Sequence, residues 1–229
     1  MAKKIVKKTR IKLFSLLIVL LIILGLFFGV YLSLRIKTKN IIIKGNNYLN
    51  DDYIIDLADI GDYPDFILLK TGKREKNVSK SKYIDSCTIK KKFGFILEVN
   101  VVENKALFYD LNKDKYILEN DSEVSYDDIS KNFRVPRLLN YVPDKKYNKF
   151  IKGMSDVKDE ILSKISDIEY QPNDYDKDRF LLYMDDGNMV YITLTKFKMI
   201  NHYNEVLTQL EGHRGILYLD SGNHFQIKE

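Results

Sequence analysis

Hydrophobic positions form two patterns along this chain: one long apolar run near the amino terminus, and many short alternating or helical patterns after it. The run from Leu13 to Leu34 contains 22 residues with no charge, proline, asparagine or glutamine. As a helix it is about 33 Å long, close to the roughly 30 Å hydrocarbon core of a bilayer. The later apolar runs are short and interrupted. The pattern predicts a single transmembrane helix over residues 13–34, followed by a folded body.

A cleaved signal peptide is the main alternative for this run. Its apolar region would be about 7 to 15 residues long and would end at a small-residue cleavage site. Here the run is longer, and the sequence SLRIKTKN follows it. A buried helix of a soluble protein would keep a polar stripe, which this run lacks. The transmembrane interpretation is therefore favoured.

The segment directly after the span predicts a strand, a turn and a helix. NIIIKG, which includes Ile41 and Ile43, is rich in the β-branched residues typical of strands. Gly45 and Asn46 predict a turn, because both residue types tolerate a positive φ. Asn50 or Asp51 can cap a helix over YIIDLA, and we expect Gly61 to end it.

A second helical region and a β-hairpin complete this unit. DFILLKTG suggests another short element that can be a helix. KREKNVSKSKYI predicts a charged helix that reaches Tyr83 and Ile84. The hairpin has strands over 87–91 and 95–102, joined at Phe93-Gly94, and its second strand alternates apolar and polar positions. The order is strand, helix, helix, strand, strand.

The remaining residues predict a mixture of hairpins and helices. A hairpin is predicted at 115–124, a crossing segment at 135–141, a helix from Tyr147 that Gly153 interrupts, and a strand in SDIEYQ. The clearest hairpin spans 179–194 around Asp185-Asp186-Gly187-Asn188, followed by a helix over 195–212 and a closing strand in GILYLD. The fold class is therefore α+β, with a mainly antiparallel sheet and packed helices in its second part.

Charge is concentrated at the amino terminus. The chain carries a net charge of +5, of which residues 1–12 contribute +6, so residues 35–229 sum to −1. A body with this balance gives no support for nucleic-acid binding. The dense basic flank predicts a cytoplasmic amino terminus over residues 1–12 and an extracytoplasmic body. The single cysteine excludes an internal disulfide.

No set of residues predicts catalysis, a metal or a cofactor. Cys87 invites comparison with membrane-anchored transpeptidases of the sortase type, but those place a histidine before the cysteine, and His202, His213 and His224 all follow it. A half-buried strand cysteine is the simpler interpretation. KTGKRE lacks the first glycine and the final Ser or Thr of a phosphate-binding loop. The paired aspartates are typical of turns.

Taken in order, these features resemble a POTRA domain and, more closely, the FtsQ/DivIB family of cell-division proteins. The matching positions are Ile41–Asn46 and Val99–Phe108, where ENKALF stands in place of the ERxPxA seen in many members. Asn104 replaces the arginine and the proline is absent. The resemblance implies a POTRA domain over 38–108 and an FtsQ/DivIB-type β domain over 109–229.

The resemblance also implies a function in the division septum. Members of this family are non-enzymatic scaffolds that bind bitopic partners of the FtsB/DivIC and FtsL type and help to regulate the septal peptidoglycan synthase. Carried over, the partner-binding candidates are Ile216, Leu217, Tyr218 and Leu219 in the terminal strand, with Phe225 beyond the turn. For Leu217 and Leu219, core packing and partner contact are both open, whereas Tyr218 has the opposite parity and should be exposed.

Two further interpretations remain open from the sequence. The POTRA-like unit can also bind through its second helix and final strand, and the basic residues there form either a solvated face or a contact with anionic lipid head groups; they are Lys73, Arg74, Lys76, Lys80 and Lys82. The competing functions are a membrane-anchored cell-wall enzyme and a POTRA-bearing export or assembly factor.

Overall fold

The computed structural model describes residues 13–210 and 212–228 as an apolar helix followed by two β-sheets with helices packed against them. The basic tail predicted over residues 1–12 lies outside the described residues. The α-helices are α1 (Leu13–Leu34), α2 (Asp51–Ala58), α3 (Thr71–Val78), α4 (Asp144–Ser155), α5 (Asp159–Leu162) and α6 (Tyr203–Gln209), with 3-10 segments over Ser130–Asn132 and Leu194–His202.

The strands follow the order expected for an α+β fold. They are β1 (Asn40–Lys44), β2 (Ile84–Lys92), β3 (Ile96–Glu103), β4 (Ala106–Asp110), β5 (Lys115–Leu118), β6 (Glu123–Val124), β7 (Arg137–Leu138), β8 (Ile165–Tyr170), β9 (Arg179–Met184), β10 (Met189–Thr193), β11 (Gly215–Tyr218) and β12 (His224–Ile227).

The helix α1 confirms the prediction of one long apolar helix. Its segment Phe14–Leu34 has a mean hydropathy of 2.8 over an 18-residue window, and none of that window is buried against the rest of the chain. Among the described residues, it is the one helix long and apolar enough to cross a bilayer.

The first sheet has three strands in the order β1-β3-β2, with β1 parallel and β2 antiparallel to the central strand β3. The predicted alternation in β3 is confirmed, because Leu97, Val99 and Val101 are all buried. They pack against apolar residues of α2 and α3, including Ile54 and Val78. The sheet thus has one face in the core.

The turn between β1 and α2 is held by the carboxylate of Glu103, at the end of β3. Its two oxygens accept hydrogen bonds from the backbone N–H groups of Asn47, Tyr48 and Leu49, each at 2.9 Å. Gly45, with a φ of +87°, lies so close to Val101 that a Cβ would come within 2.1 Å of the Val101 carbonyl oxygen. Only glycine fits there, so the ends of β1 and β3 are locked together.

The second sheet has nine strands in the order β12-β11-β10-β9-β8-β7-β4-β5-β6. Five of its eight strand pairs are antiparallel, which confirms the mainly antiparallel prediction. The helix α4 and the 3-10 segment Leu194–His202 cover one face. The core there is built on stacked rings, with Phe150 parallel to Phe180 at 4.7 Å and Phe197 edge-on to both.

Two helix predictions changed for packing reasons. Gly153 does not break α4; a Cβ there would lie 3.2 Å from the Phe197 side chain, so glycine makes room for the ring. The first half of the helix predicted over 195–212 is a 3-10 segment. Its three residues per turn bring Phe197, Ile200 and Tyr203 onto one line facing the core, and all three are buried.

Several predicted boundaries also differ. The helix α2 ends at Ala58 and is capped by Asp59, which adopts a left-handed φ of 52°, so Gly61 is not its stop. Residues 65–70 of DFILLKTG are not helical, because Phe66 donates its N–H to the Ile36 carbonyl and Asp65 bridges Lys37. Its last two residues, Thr71 and Gly72, begin α3. The helix α3 stops at Val78, before the predicted Tyr83 and Ile84.

The strand pairing of the second sheet changes two further predictions, the crossing segment and the domain boundary. The segment predicted at 135–141 contributes a real strand, β7, which pairs in parallel with both β4 and β8. The boundary predicted at 108/109 falls inside β4, and β4 already belongs to the second sheet.

We predict that replacing Glu103 by alanine destabilises the folded body by about 2 kcal/mol, because three backbone donors lose a charged acceptor. Thermal unfolding of the full chain in detergent, followed by circular dichroism, measures this loss. Glu160→Ala is the matched control, since Glu160 is exposed on α5 and its carboxylate accepts no hydrogen bond from a described residue. Equal stability of the two variants would contradict the role given to Glu103.

Candidate partner-binding hairpin

The chain ends in a β-hairpin at one edge of the nine-stranded sheet. β11 lies parallel to β10, and β12 returns antiparallel to β11 as the outermost strand. We call residues 215–227 the terminal hairpin. The closing strand was predicted, but the tail after it was not expected to be a strand.

The predicted partner residues divide between the two faces of this hairpin. Leu217 and Leu219 are buried, at 4% and 6% exposure, and belong to the core beside α4. The structure therefore places them as core residues. Ile216 and Tyr218 are half-buried on the outer face, which we define as the face of the sheet turned away from α4. Phe225 lies opposite Leu217 and packs on the edge of the core.

The backbone of β12 offers hydrogen-bonding groups to an added strand. Lys228 donates its N–H to the Arg214 carbonyl at 2.9 Å. Because hydrogen-bonded and non-bonded pairs alternate along an antiparallel ladder, the backbone groups of Phe225 and Ile227 are directed away from β11. Among the described residues, no strand pairs with that side of β12. The Ile227 side chain is 54% exposed beside this open edge.

The outer face of the hairpin carries a ladder of stacked rings. The Arg179 guanidinium lies 3.4 Å from the ring centre of Tyr191. Tyr191 stacks on Tyr218 at 5.4 Å, and Tyr218 stacks on His224 at 4.6 Å, with an angle of 8° between the planes. These four side chains come from four adjacent strands. They form a continuous stack that ends at the open edge.

An ion pair anchors the turn of the terminal hairpin. Arg179 donates to the Asp220 carboxylate at 2.7 Å, and both side chains are largely buried. Burial by itself would raise the pKa of Asp220, but the bonds from Arg179 and Ser221 outweigh it and hold that pKa below its ordinary value. Lys196 donates to the carbonyls of Leu219 and Asp220 at 3.1 and 3.0 Å. The turn is therefore charged and firmly held at neutral pH.

The side chains of Asn188 and Tyr203 hold the start of β11 in place, a role that the sequence did not reveal. The buried Asn188 side chain accepts the Gly215 N–H at 2.8 Å and donates to the Tyr203 hydroxyl at 3.0 Å. Tyr203 in turn donates to Asp186 at 2.8 Å. Gly215 has no room for a Cβ, which would lie 2.0 Å from the Gln226 carbonyl oxygen. The sequence showed Asn188 only as a turn residue, since its partner is 27 positions away.

Two of the other three sheet edges are partly covered. Lys82 donates to the Glu123 carbonyl of the short strand β6, and Glu75 of α3 accepts the Ile89 N–H of β2. The final POTRA strand, β3, cannot pair with a strand of a partner, as one prediction required, because β3 is the central strand and is paired on both sides. The third edge strand, β1, has the exposed residues Asn40, Ile42 and Lys44, so exposed polar residues flank a single exposed apolar one.

The four residues predicted to form the strand and turn of the first sheet pack in its core or stabilise the turn. Ile41 and Ile43 are half-buried and pack on the core of the three-stranded sheet. Gly45 permits the close approach to Val101 described above. Asn46 donates from its amide to the Leu49 carbonyl at 2.8 Å and to Asp51 at 2.9 Å. These residues shape the turn.

The lone thiol is poorly suited to act as a nucleophile. Cys87 is half-buried on β2, and burial, together with the nearby Glu75, raises its pKa to about 11. It lies in the three-stranded sheet, whereas the three histidines belong to the second half of the chain. No cluster of three or more His, Cys, Asp or Glu side chains suited to a metal occurs in the described part of the chain.

Comparison with known protein families identifies the domain that contains the three-stranded sheet. Residues 36–104 match the family model described as POTRA domain, FtsQ-type. This range contains the three-stranded sheet, α2, α3 and the Glu103 turn. The chain is thus a protein with an apolar helix, an FtsQ-type POTRA domain and a β domain.

The relatives then identify the family. "Cell division protein DivIB" of Bacillus subtilis is 31% identical over 208 residues, covering 86% of this chain and 77% of that protein. The Listeria monocytogenes DivIB is 27% identical over 98% of this chain and 85% of that protein. This chain belongs to the DivIB family of cell-division proteins, as the sequence resemblance predicted.

A solved structure, the major extracytoplasmic domain of the trans isomer of DivIB from Geobacillus stearothermophilus, aligns with 48% of this chain and 95% of that one. Its sequence identity is 20% and its TM-score is 0.37. A superposition this loose carries no weight in assigning the family, which rests on the sequence relatives.

We predict that Asn188→Ala loosens the terminal hairpin and lowers the stability of the fold by about 2 kcal/mol, because a buried N–H of Gly215 loses its acceptor. Hydrogen exchange at Gly215 should accelerate, and the thermal midpoint of the full chain should fall. Asn148→Ala, at an exposed position on α4, is the control and should change neither quantity. Unchanged exchange at Gly215 in Asn188→Ala would refute the link.

Cys87 should react slowly with iodoacetamide at neutral pH. With a pKa of about 11, its thiolate fraction rises about tenfold per pH unit from pH 7 to 10. Because the chain has one cysteine, mass spectrometry of the intact protein measures the rate directly. A rate that levels off near pH 8 would show an activated thiol and would revive the enzyme interpretation.

Proposed function

We propose that this DivIB-family chain is a non-enzymatic assembly protein of the division machinery. It binds bitopic partners of the FtsB/DivIC and FtsL type and through them helps to regulate the septal peptidoglycan synthase. The observation that carries the proposal is the open edge of β12, where the backbone groups of Phe225 and Ile227 point away from the sheet.

An open strand edge can bind an extended segment of another chain by β-augmentation. Phe225 and Ile227 together present two N–H donors and two carbonyl acceptors. At about 1 kcal/mol net per hydrogen bond, four such bonds contribute about 4 kcal/mol. That is a weak complex by itself, so affinity and specificity also need side-chain contacts.

The side chains next to the edge are suited to supply these contacts. Tyr218 and His224 form the end of the ring ladder on the outer face, and Ile227 is exposed on the other face. Rigid aromatic residues lose little entropy on binding and are common interface anchors. A partner strand beside β12 would extend both faces and cover Ile227.

The position of the body follows from the span. We place the amino terminus in the cytoplasm, because the six basic residues in 1–12 form the denser charged flank, and the body on the opposite side of the cell membrane. The protein would then stand at the division septum as a single-pass membrane protein. Bitopic partners with the same orientation would meet the terminal hairpin without crossing the bilayer.

We predict that Ile227→Pro weakens binding of the FtsB/DivIC-type partner by at least about fivefold, because one backbone hydrogen bond of about 1 kcal/mol is lost. Proline removes the outward N–H but not a bond to β11, and an edge strand tolerates proline when its N–H faces solvent. Co-purification of the full-length chain with its partner from membranes, and midcell fluorescence of a tagged chain in dividing cells, provide the measurements.

Ile227→Thr is the matched control, because it keeps the backbone N–H and the β-branched shape. It should retain binding, while Tyr218→Ala should weaken binding through loss of side-chain contact. Undiminished partner recovery with Ile227→Pro, in a chain whose thermal midpoint is normal, would exclude β12 as the binding edge. A uniform envelope signal for the unaltered chain would count against a septal function.

A further inference from the structure

The end of the POTRA domain nearest to α1 combines positive charge with exposed apolar side chains. We call residues 35–39, 59–74 and 91–95 the membrane-proximal surface. We propose that this surface docks on the bilayer, with its basic residues on anionic lipid head groups and its exposed rings among them. The proposal rests on α1 spanning the membrane.

The body is joined to α1 with almost no linker. α1 ends at Leu34, and the carbonyl of Ile36 already accepts the N–H of Phe66 at 2.8 Å. Thr38 then donates to the Pro64 carbonyl at 3.0 Å, and Lys39 donates to the Phe95 carbonyl at 2.8 Å. Two residues of extended chain reach at most about 7 Å. The loop after α2 and the tip of the β2–β3 hairpin are therefore held beside the end of the span.

That distance is comparable to the thickness of the head-group region. The polar layer on each side of a bilayer is about 5 to 8 Å deep. The contact between Ile36 and Phe66, two residues of chain beyond the last helical residue, therefore lies at the depth of the lipid head groups. Chain continuity therefore brings the loop after α2 close to the membrane surface.

The charge of this surface is opposite to that of the rest of the body. Its three segments contain eight Lys or Arg residues and three Asp residues, a net charge of +5. Since residues 35–229 sum to −1, the remainder carries −6. The body is therefore polarised, with its positive end towards the membrane, and anionic lipids attract basic segments close to their surface.

Some of these charges are balanced within the protein, but others are not. Asp65 pairs with Arg35 and Lys37, at 3.6 and 3.2 Å. Lys70 and Lys73 have no described carboxylate within 4 Å. They lie at the start of α3, where no side chain caps the first turn, so the N-terminal end of the helix dipole adds to the positive potential.

Apolar side chains project from the same surface. Phe93, at the tip of the β2–β3 hairpin, is fully exposed, and Tyr63, Ile67 and Leu68 on the loop after α2 are 44 to 52% exposed. Aromatic and basic residues together are typical of segments that lie in the membrane interface. The exposure of these apolar side chains to water is unfavourable in free energy, and such patches usually mark an interaction site.

Contacts within the membrane-proximal surface join the β2–β3 hairpin to the loop after α2. Phe66 and Phe95 meet edge to face at 5.5 Å. Lys91 lies over the Phe66 ring and donates to the Ile67 carbonyl at 2.9 Å, which ties the hairpin to the loop. A lipid surface is the occupant that both the adjoining span and the charge favour; a protein partner is the alternative that the experiment must distinguish.

The absence of tryptophan from the chain allows a direct test. Three single-tryptophan variants are reconstituted as full-length protein in vesicles with brominated acyl chains: Phe93→Trp at the surface, Phe27→Trp within α1, and Tyr175→Trp, fully exposed in the second domain. The vesicles contain either equal parts of phosphatidylglycerol and phosphatidylcholine, or phosphatidylcholine alone.

We expect Phe27→Trp to be quenched in both vesicles and Tyr175→Trp in neither. Phe93→Trp should show quenched, blue-shifted emission with phosphatidylglycerol, and less of both with phosphatidylcholine or in 1 M salt, where screening is strong. Unquenched Phe93→Trp beside quenched Phe27→Trp would overturn the docking and leave the surface free for a protein. Unquenched Phe27→Trp would refute the span, and the docking with it.

Charge variants test the electrostatic part separately. In the Phe93→Trp background, Lys70→Gln with Lys73→Gln should shift the docking equilibrium by about fivefold per charge. Lys149→Gln with Lys152→Gln, at exposed positions on α4, removes the same charge from the second domain and should have no effect. Equal effects of the two pairs would show that only net charge matters and would refute a defined lipid contact.

Discussion

The carboxylate of Glu103 holds three backbone N–H groups of the turn after β1, and much of the architecture depends on this contact. It joins the first strand of the body to the last strand of the POTRA domain, 54 to 56 positions apart. The next residue, Asn104, is buried and donates to the Lys82 carbonyl at 2.8 Å. Two residues later β4 begins the second sheet. A single junction therefore sets where one sheet ends and the other starts.

This junction connects the two surfaces for which we propose different contacts. Phe133 contacts Tyr48, Tyr83 and Tyr116, and Tyr83 donates to Asp127 at 2.5 Å, so aromatic packing also links the sheets. The positive surface beside α1 and the open strand β12 then belong to one connected scaffold. A membrane contact at one end would restrict where the hairpin can meet a partner.

The contacts that stabilise the terminal hairpin lie on the side of the sheet and its core, not on the open side of β12. Asn188 and Tyr203 hold the start of β11, Arg179 holds Asp220 in the turn, and Phe225 covers the edge of the core. These bonds leave the outward side of β12 unpaired without leaving the strand loose. A binding edge needs this combination, because a strand that must first be ordered would lose affinity on binding.

Local patterns in the sequence determined the long apolar helix, the strands of both main hairpins and the α+β class, since side-chain periodicity is set by backbone geometry over a few residues. The motifs around Gly45 and Glu103 also indicated the DivIB family. Only the tertiary structure decided that β12 is an outer strand, that Leu217 is core, and that β7 belongs to the sheet. Only the tertiary structure showed why the fold requires Asn188, Gly153 and Gly215, because each of them contacts a residue that is remote in sequence. Strand order, open edges and buried hydrogen bonds depend on such distant contacts, which no local period encodes.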